Sequence, residues 1–129
     1  MRLLVDTHVL LWILSGEPEL AAPLMRALAD PASEVFASIA SLWEIAIKVR
    51  IGKLRVDLQG VLGAFAPPYQ LLRLGIEPSH VVALSRLDRV DGHRDPFDQL
   101  LVAQAMVEGL TLVTRDGRLR EYPVSVMRA

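Results

Sequence analysis

Short apolar runs alternate along the chain with longer stretches in which apolar residues return every three or four positions. The runs fall at Arg2–Val5, Glu34–Ser38, Gln70–Leu74, Leu110–Thr114 and Val124–Met127. They are rich in Leu and Val and too short for helices, so they predict strands. Between them the helical period predicts helices over His8–Leu14, Glu19–Ala29, Ala40–Ile51, Leu58–Phe65, Pro78–Leu87 and Pro96–Glu108. Turn residues sit between these segments, at Gly16 with Pro18, Gly52, Pro67 with Pro68, Gly75 and Gly109. Strand and helix alternating from end to end predict an α/β fold, a three-layer α/β/α sandwich with a mostly parallel central sheet. The longest polar segment, Asp88–Asp95 ("DRVDGHRD"), carries no apolar period and predicts a functional or mobile loop leading into a helix.

Length and composition narrow the picture. A chain of 129 residues fits one domain, residues 1–129, with room for a real core. Its hydrophobic share of 52% excludes a disordered chain, and with aromatics at 5% the core must rest on Leu, Val, Ile and Ala. The absence of cysteine excludes a disulfide framework, a thiolate metal site and a thiol nucleophile. No run approaches the ~18 apolar residues of a membrane span, and the first strand makes a poor signal peptide, so a soluble cytoplasmic protein is expected. The net charge of −1 argues against a broadly electrostatic nucleic-acid binder. Two basic clusters nevertheless stand out: Lys48, Arg50, Lys53 and Arg55, then Arg115, Arg118 and Arg120. Arginine forks suit phosphate oxygens, and they also suit an ordinary solvated surface.

The acids repay individual reading, because each has a structural explanation of its own. Asp6 follows the first strand and could cap the helix behind it. Glu44 lies in "ASIASLWEIAIKV", a helix enclosed on most sides whose Ser41, Glu44 and Lys48 form a narrow polar strip expected to face solvent. There Ser41 and Glu44 have capping-box spacing, and Glu44 and Lys48 make a favourable i,i+4 pair. Asp95 and Asp98 flank Pro96, so Asp95 reads as a helix cap and Asp98 as an acid compensating the helix dipole. Asp98, however, shares its stripe with Leu101, Val102 and Ala105, a face of the kind that packs on a sheet. Asp116 precedes Gly117 in an ordinary turn pair.

Taken together the four acids point elsewhere. Asp6 and Asp116 each come just after a strand, while Glu44 and Asp98 are placed in the first turns of helices. In a parallel sheet all four fall at the carboxyl end, where open α/β sheets place their sites. Four carboxylates in one pocket repel one another unless pKa values rise or a cation binds. All-oxygen ligation favours Mg²⁺, or Mn²⁺, over zinc. Such an ion can activate a water for in-line attack on a phosphodiester. On this reading Asp6 is a metal ligand, and capping falls to Thr7.

In order along the chain, "LLVDTHVLLW", "SIASLWEIAIKVRIGKL", "HRDPFDQLLVAQAMVEGLTLVTRD" and "YPVSVM" resemble the PIN-domain ribonucleases, most nearly the VapC toxins of type II toxin–antitoxin pairs. The resemblance runs nearly end to end. It implies a metal-dependent endoribonuclease whose catalytic and metal-binding acids are Asp6, Glu44, Asp98 and Asp116. Asp98, Leu101, Ala103 and Ala105 match the family's D-x-x-L-x-A-x-A. Thr7 and Thr114 then suit supporting hydroxyls, and Asp95 an outer or additional ligand. Lys48, Arg94 and Arg115 are the expected contacts to the RNA backbone. Gln99 stands where relatives often carry arginine. The resemblance further implies a homodimer and a VapB-type antitoxin that blocks the site. His8 and His93 read as structural, since metal activation needs no imidazole base. Two rivals remain at this stage: a phosphatase or phosphoacceptor with an aspartate nucleophile, which usually wants a second Asp near the first, and a PIN-like binding module without catalysis.

Overall fold

The computed structural model describes residues 1–129. Five strands form the sheet: β1 (Arg2–Val5), β2 (Glu34–Ser38), β3 (Leu72–Leu74), β4 (Thr111–Thr114) and β5 (Val126–Arg128). Their order is β3-β2-β1-β4-β5 and every pairing is parallel. Six helices accompany them: α1 (Thr7–Ser15), α2 (Ala22–Ala29), α3 (Ile39–Arg50), α4 (Leu58–Val61), α5 (Pro78–Ser85) and α6 (Pro96–Glu108).

Sheets of this kind are covered on both faces, which is why the strands are almost continuously apolar. Leu3, Val5 and Val113 pack with α1, α2 and Ile45 of α3 on one face. Leu4 and Leu112, pointing the other way, pack with Leu101, Val102 and Ala105 of α6, flanked by Leu84 of α5. The three layers expected from the alternating pattern are therefore present, with the sheet wholly parallel.

The chain runs β1, β2, β3 outward on one side and then returns to place β4 on the other side of β1. The order reverses between β1 and β4, so a crevice opens at the carboxyl ends of those two strands. Asp6 follows β1, and Thr114 ends β4.

Element boundaries differ from the sequence reading where backbone chemistry intervenes. Gln70 has φ +51°, outside the strand region, and β3 begins only at Leu72. A helix starting at Glu19 would put Pro23 in its interior, whereas α2 starts at Ala22 and keeps Pro23 in the first turn. Ser38, not Ser41, caps α3 by accepting from the Ala40 amide, which moves the helix start to Ile39 and Glu44 into the second turn. Nor is α3 enclosed: Trp43 and Ile47 are exposed, as is Ile51 just beyond it.

Candidate functional site

The register of the central strands sets the first acid. The Asp6 amide continues the ladder by donating to the Val113 carbonyl at 3.0 Å, which buries the side chain at the head of the crevice. Asp6 Oδ1 accepts from the Val9 amide at 2.9 Å, so Asp6 caps α1 itself. Its Oδ2 accepts from the Thr114 hydroxyl across the β1–β4 seam. Thr7, expected to take over the capping, instead donates to Glu44 Oε1 at 2.6 Å.

Glu44 is correspondingly buried, only 2% exposed, and not aligned along a solvent-facing strip. Ser41 is buried with it, its Oγ 2.9 Å from Thr7 Oγ1. Lys48, one turn on, donates to Glu44 Oε2 at 2.7 Å, as the i,i+4 spacing suggests. Both oxygens of Asp6 and both of Glu44 are thus held by the protein.

Asp98 is held more loosely. Asp95 caps α6, its Oδ1 accepting from the Phe97 and Asp98 amides, and this fixes Asp98 in the first turn. The Asp98 carboxylate has one side-chain partner, His93, whose Nε2 lies 3.3 Å from Oδ2. His93 is buried despite its polar loop, with Nδ1 2.7 Å from the Tyr122 hydroxyl. Asp116 caps the 3₁₀ turn Gly117–Glu121 and is gripped by Arg118, whose Nε and Nη2 donate to its two oxygens at 3.0 and 2.8 Å.

His93, Asp98 and Asp116 form the tightest grouping, their ligand atoms all within 4.8 Å of one another. Asp6 and Glu44 stand beside this set rather than in it, coupled to it electrostatically. Burial, then the charge of Asp95, and more weakly those of Asp6 and Glu44, push the Asp98 carboxyl up to about 6 against the pull of its bond to His93. Burial raises Asp6 as well, opposed by its hydrogen bonds. Asp116 moves the other way, lowered by the Arg118 guanidinium. The bond to Glu44 raises the Lys48 ammonium, with Asp95 and Asp98 adding to it.

The expected RNA contacts fare differently. Arg94 is exposed, and Lys48 lies partly exposed over the acids. Arg115 is otherwise committed: it donates to the carbonyls of Ala129 and Glu19 and lies over the Trp12 ring, 4.7 Å from its centroid. It links residue 129 to α1, whereas Arg118, which the sequence reading gave no such role, is the arginine paired with Asp116. Sequence reasoning also set His93 aside as structural and gave Tyr122 no role. The signal for His93 was its position five residues before Asp98 in a loop otherwise rich in charge; nothing local marked Tyr122. A cavity of about 670 Å³ lies at the far end of α1 against α2 and Tyr69 and takes in none of the four acids.

The donor set fits a hard divalent cation: oxygen-rich, partly buried, and carrying more negative charge than Lys48 and Arg118 balance. No helix is long and apolar enough to cross a membrane.

Comparison with known proteins bears on the fold. Three solved structures share the fold over nearly whole chains. A chain of VapBC2 from Rickettsia felis bound to a promoter DNA fragment is 18% identical, with TM-score 0.76 and coverage of 99% of this chain and 98% of that one. DNA-bound VapBC from Salmonella typhimurium gives 18% identity, TM-score 0.70 and the same coverages, 99% and 98%. VapBC-5 from Mycobacterium tuberculosis, a member of the VapBC family of toxin–antitoxin systems, gives 19%, TM-score 0.60, and coverages of 98% and 96%. No curated protein matches the sequence. The PIN domain model matches residues 3–124, so the chain belongs to the PIN-domain family.

Proposed function

We propose that the protein is a VapC-type toxin, a divalent-metal-dependent endoribonuclease, with Asp6, Glu44, Asp98 and Asp116 as its metal-binding acids. The observation that carries this reading is the gathering of acids at the carboxyl ends of β1 and β4, where burial first and then the charges of Asp95, Asp6 and Glu44 push Asp98 up to about 6. Mg²⁺ or Mn²⁺ bound there would supply an activated water and charge stabilisation at the leaving oxygen.

The protein's own part is preorganisation. Asp6 is immobilised by the Val9 amide and the Thr114 hydroxyl, and Glu44 by Thr7 and Lys48. Thr7 and Thr114 therefore act as supporting hydroxyls, and Asp95 sets the helix turn that carries Asp98. Lys48, Arg94 and Arg118 offer cations for the RNA phosphates around the crevice. Hydrolysis by water leaves a 5′-phosphate and a 3′-hydroxyl. An aspartate-nucleophile mechanism is disfavoured, because both oxygens of Asp6 are engaged in hydrogen bonds rather than free to attack.

VapBC-5 belongs to a family of toxin–antitoxin systems, and a VapB-type antitoxin is the proposed partner here. A homodimer is the proposed assembly, with exposed Trp43 and Ile47 on α3 and Val81 and Val82 on α5 as apolar surface for a second copy. The direct test incubates purified protein with single-stranded RNA in Mg²⁺, Mn²⁺ or chelator, beside Asp6→Asn and Asp98→Asn. Cleavage that needs metal and vanishes in both variants is expected. Metal-independent cleavage, or full activity in both variants, overturns the reading.

A further inference from the structure

His93 occupies an unusual place. Its loop neighbours Asp91, Gly92 and Arg94 are exposed, yet the imidazole is 3% exposed, edge-on to the Tyr122 ring with centroids 5.5 Å apart. Its amide donates to the Val90 carbonyl at 3.1 Å, and its own carbonyl accepts from Gln99 Nε2 at 3.4 Å, so backbone and ring are both fixed.

The proton on the ring follows from the partners. Tyr122 is buried, and its hydroxyl has no hydrogen-bond partner but His93 Nδ1. A buried phenol donates when an acceptor is within reach. Nδ1 is therefore the acceptor, the neutral ring carries its proton on Nε2, and Nε2 donates to Asp98 Oδ2.

Asp98 depends on that bond as the other acids do not. Asp6 and Glu44 have both oxygens hydrogen-bonded and Asp116 has both on Arg118, whereas Asp98 Oδ1 has no protein partner. We infer that Tyr122 and His93 form a positioning relay that turns the Asp98 carboxylate so that Oδ2 is held by protein and Oδ1 is left for a divalent cation. His93 is by the same token not itself a ligand, although a ring nitrogen lies within 4.8 Å of the ligand atoms of Asp98 and Asp116, because Nε2, the nitrogen facing Asp98, is protonated and has no lone pair to give. The inference rests on the metal-dependent reading above.

Two measurements test it. Nitrogen-15 NMR of the metal-free protein, labelled at histidine, should find His93 protonated on Nε2, with that preference weakened in Tyr122→Phe. Mn²⁺ titrations followed by electron paramagnetic resonance should give a 10- to 100-fold loss of affinity in His93→Leu, the usual range for removing an outer partner. His93→Gln, whose amide can reach Oδ2, should recover most of that loss. Bare Nε2 in the metal-free protein, directly bound nitrogen in the Mn²⁺ spectrum, or His93→Gln no better than His93→Leu would each overturn the relay. Absence of Mn²⁺ binding by the unsubstituted protein would instead overturn the metal reading and remove the relay's purpose with it.

Discussion

Two buried polar clusters flank the sheet, each built around a histidine with an acid beyond it, and they differ in charge balance. In the first, Ser38 donates to Gln104 Oε1 at 2.6 Å, and Gln104 Nε2 donates to the Gly75 carbonyl at 3.1 Å. His80 Nδ1 there accepts from the Glu77 amide at 3.0 Å, and Nε2 faces a single acid, Glu108, at 3.7 Å. The second cluster groups Asp98 and Asp116 with His93 and has Asp6, Glu44 and Asp95 beside it, with only Lys48 and Arg118 to balance these acids. A nearly neutral network, hydrogen-bonded throughout except at His80 Nε2, fixes α5 and α6 on the sheet. Burial together with a surplus of negative charge raises the Asp6 and Asp98 carboxyls and costs stability, which marks a site rather than a brace.

The largest expected contrast is between the clusters under substitution. Asp98→Asn and Asp6→Asn should each lower RNA cleavage by more than the 10- to 100-fold typical of an outer-shell partner, while raising the denaturation midpoint of the metal-free protein by relieving repulsion. Gln104→Leu should do the reverse, keeping cleavage while lowering stability by ~1–3 kcal/mol as Ser38 and Gly75 lose a partner. Cleavage assays beside urea denaturation separate the two.

Next in size is the dependence on pH. Asp98 titrates at about 6 folded and near ~3.9 unfolded, so between those values the folded state holds the extra proton. Stability of the metal-free protein should fall as pH rises through that window, by at most about 3 kcal/mol at 1.36 kcal/mol per unit. The raised carboxyl of Asp6 adds in the same direction, while the lowered one of Asp116 opposes it only in more acid solution. Thermal melts from pH 4 to 8 check the slope. Mn²⁺ at ~100 times its Kd should restore roughly 2.7 kcal/mol above pH 6, where the ligands are ionised.

The smallest effect is expected at the rim. Arg118→Ala should leave the melting temperature nearly unchanged and weaken cleavage several-fold with a shallower salt dependence, as for loss of one phosphate contact. Arg115→Ala should instead lower stability through Trp12 and the chain terminus without changing that salt slope.

Much of this was legible along the chain, and the failures are instructive. The alternation of apolar runs with helical periods gave the parallel layered sheet, because both faces of each strand must be covered. Asp6 and Asp98 could be found because a strand end and a proline-led helix start fix where a side chain emerges. Glu44 was placed correctly in the chain but wrongly in space: a helical wheel does not say which neighbours cover its polar strip, and here Thr7 of α1 lies against both Ser41 and Glu44. Arg115 looked like a free cation because nothing nearby in sequence reveals that Glu19, Trp12 and Ala129 converge on it.

The sequence by itself determined the fold class, the order of its elements and which carboxylates could meet at the sheet's carboxyl end, since hydrophobic period and capping chemistry are local. Only the tertiary structure decided that His93 faces Asp98 with Tyr122 behind it, that Arg118 rather than Arg115 guards Asp116, and how deeply each acid is buried. Those facts depend on contacts between residues as distant in the chain as Asp6 and Thr114, and on the dielectric they create together, which no window of sequence contains.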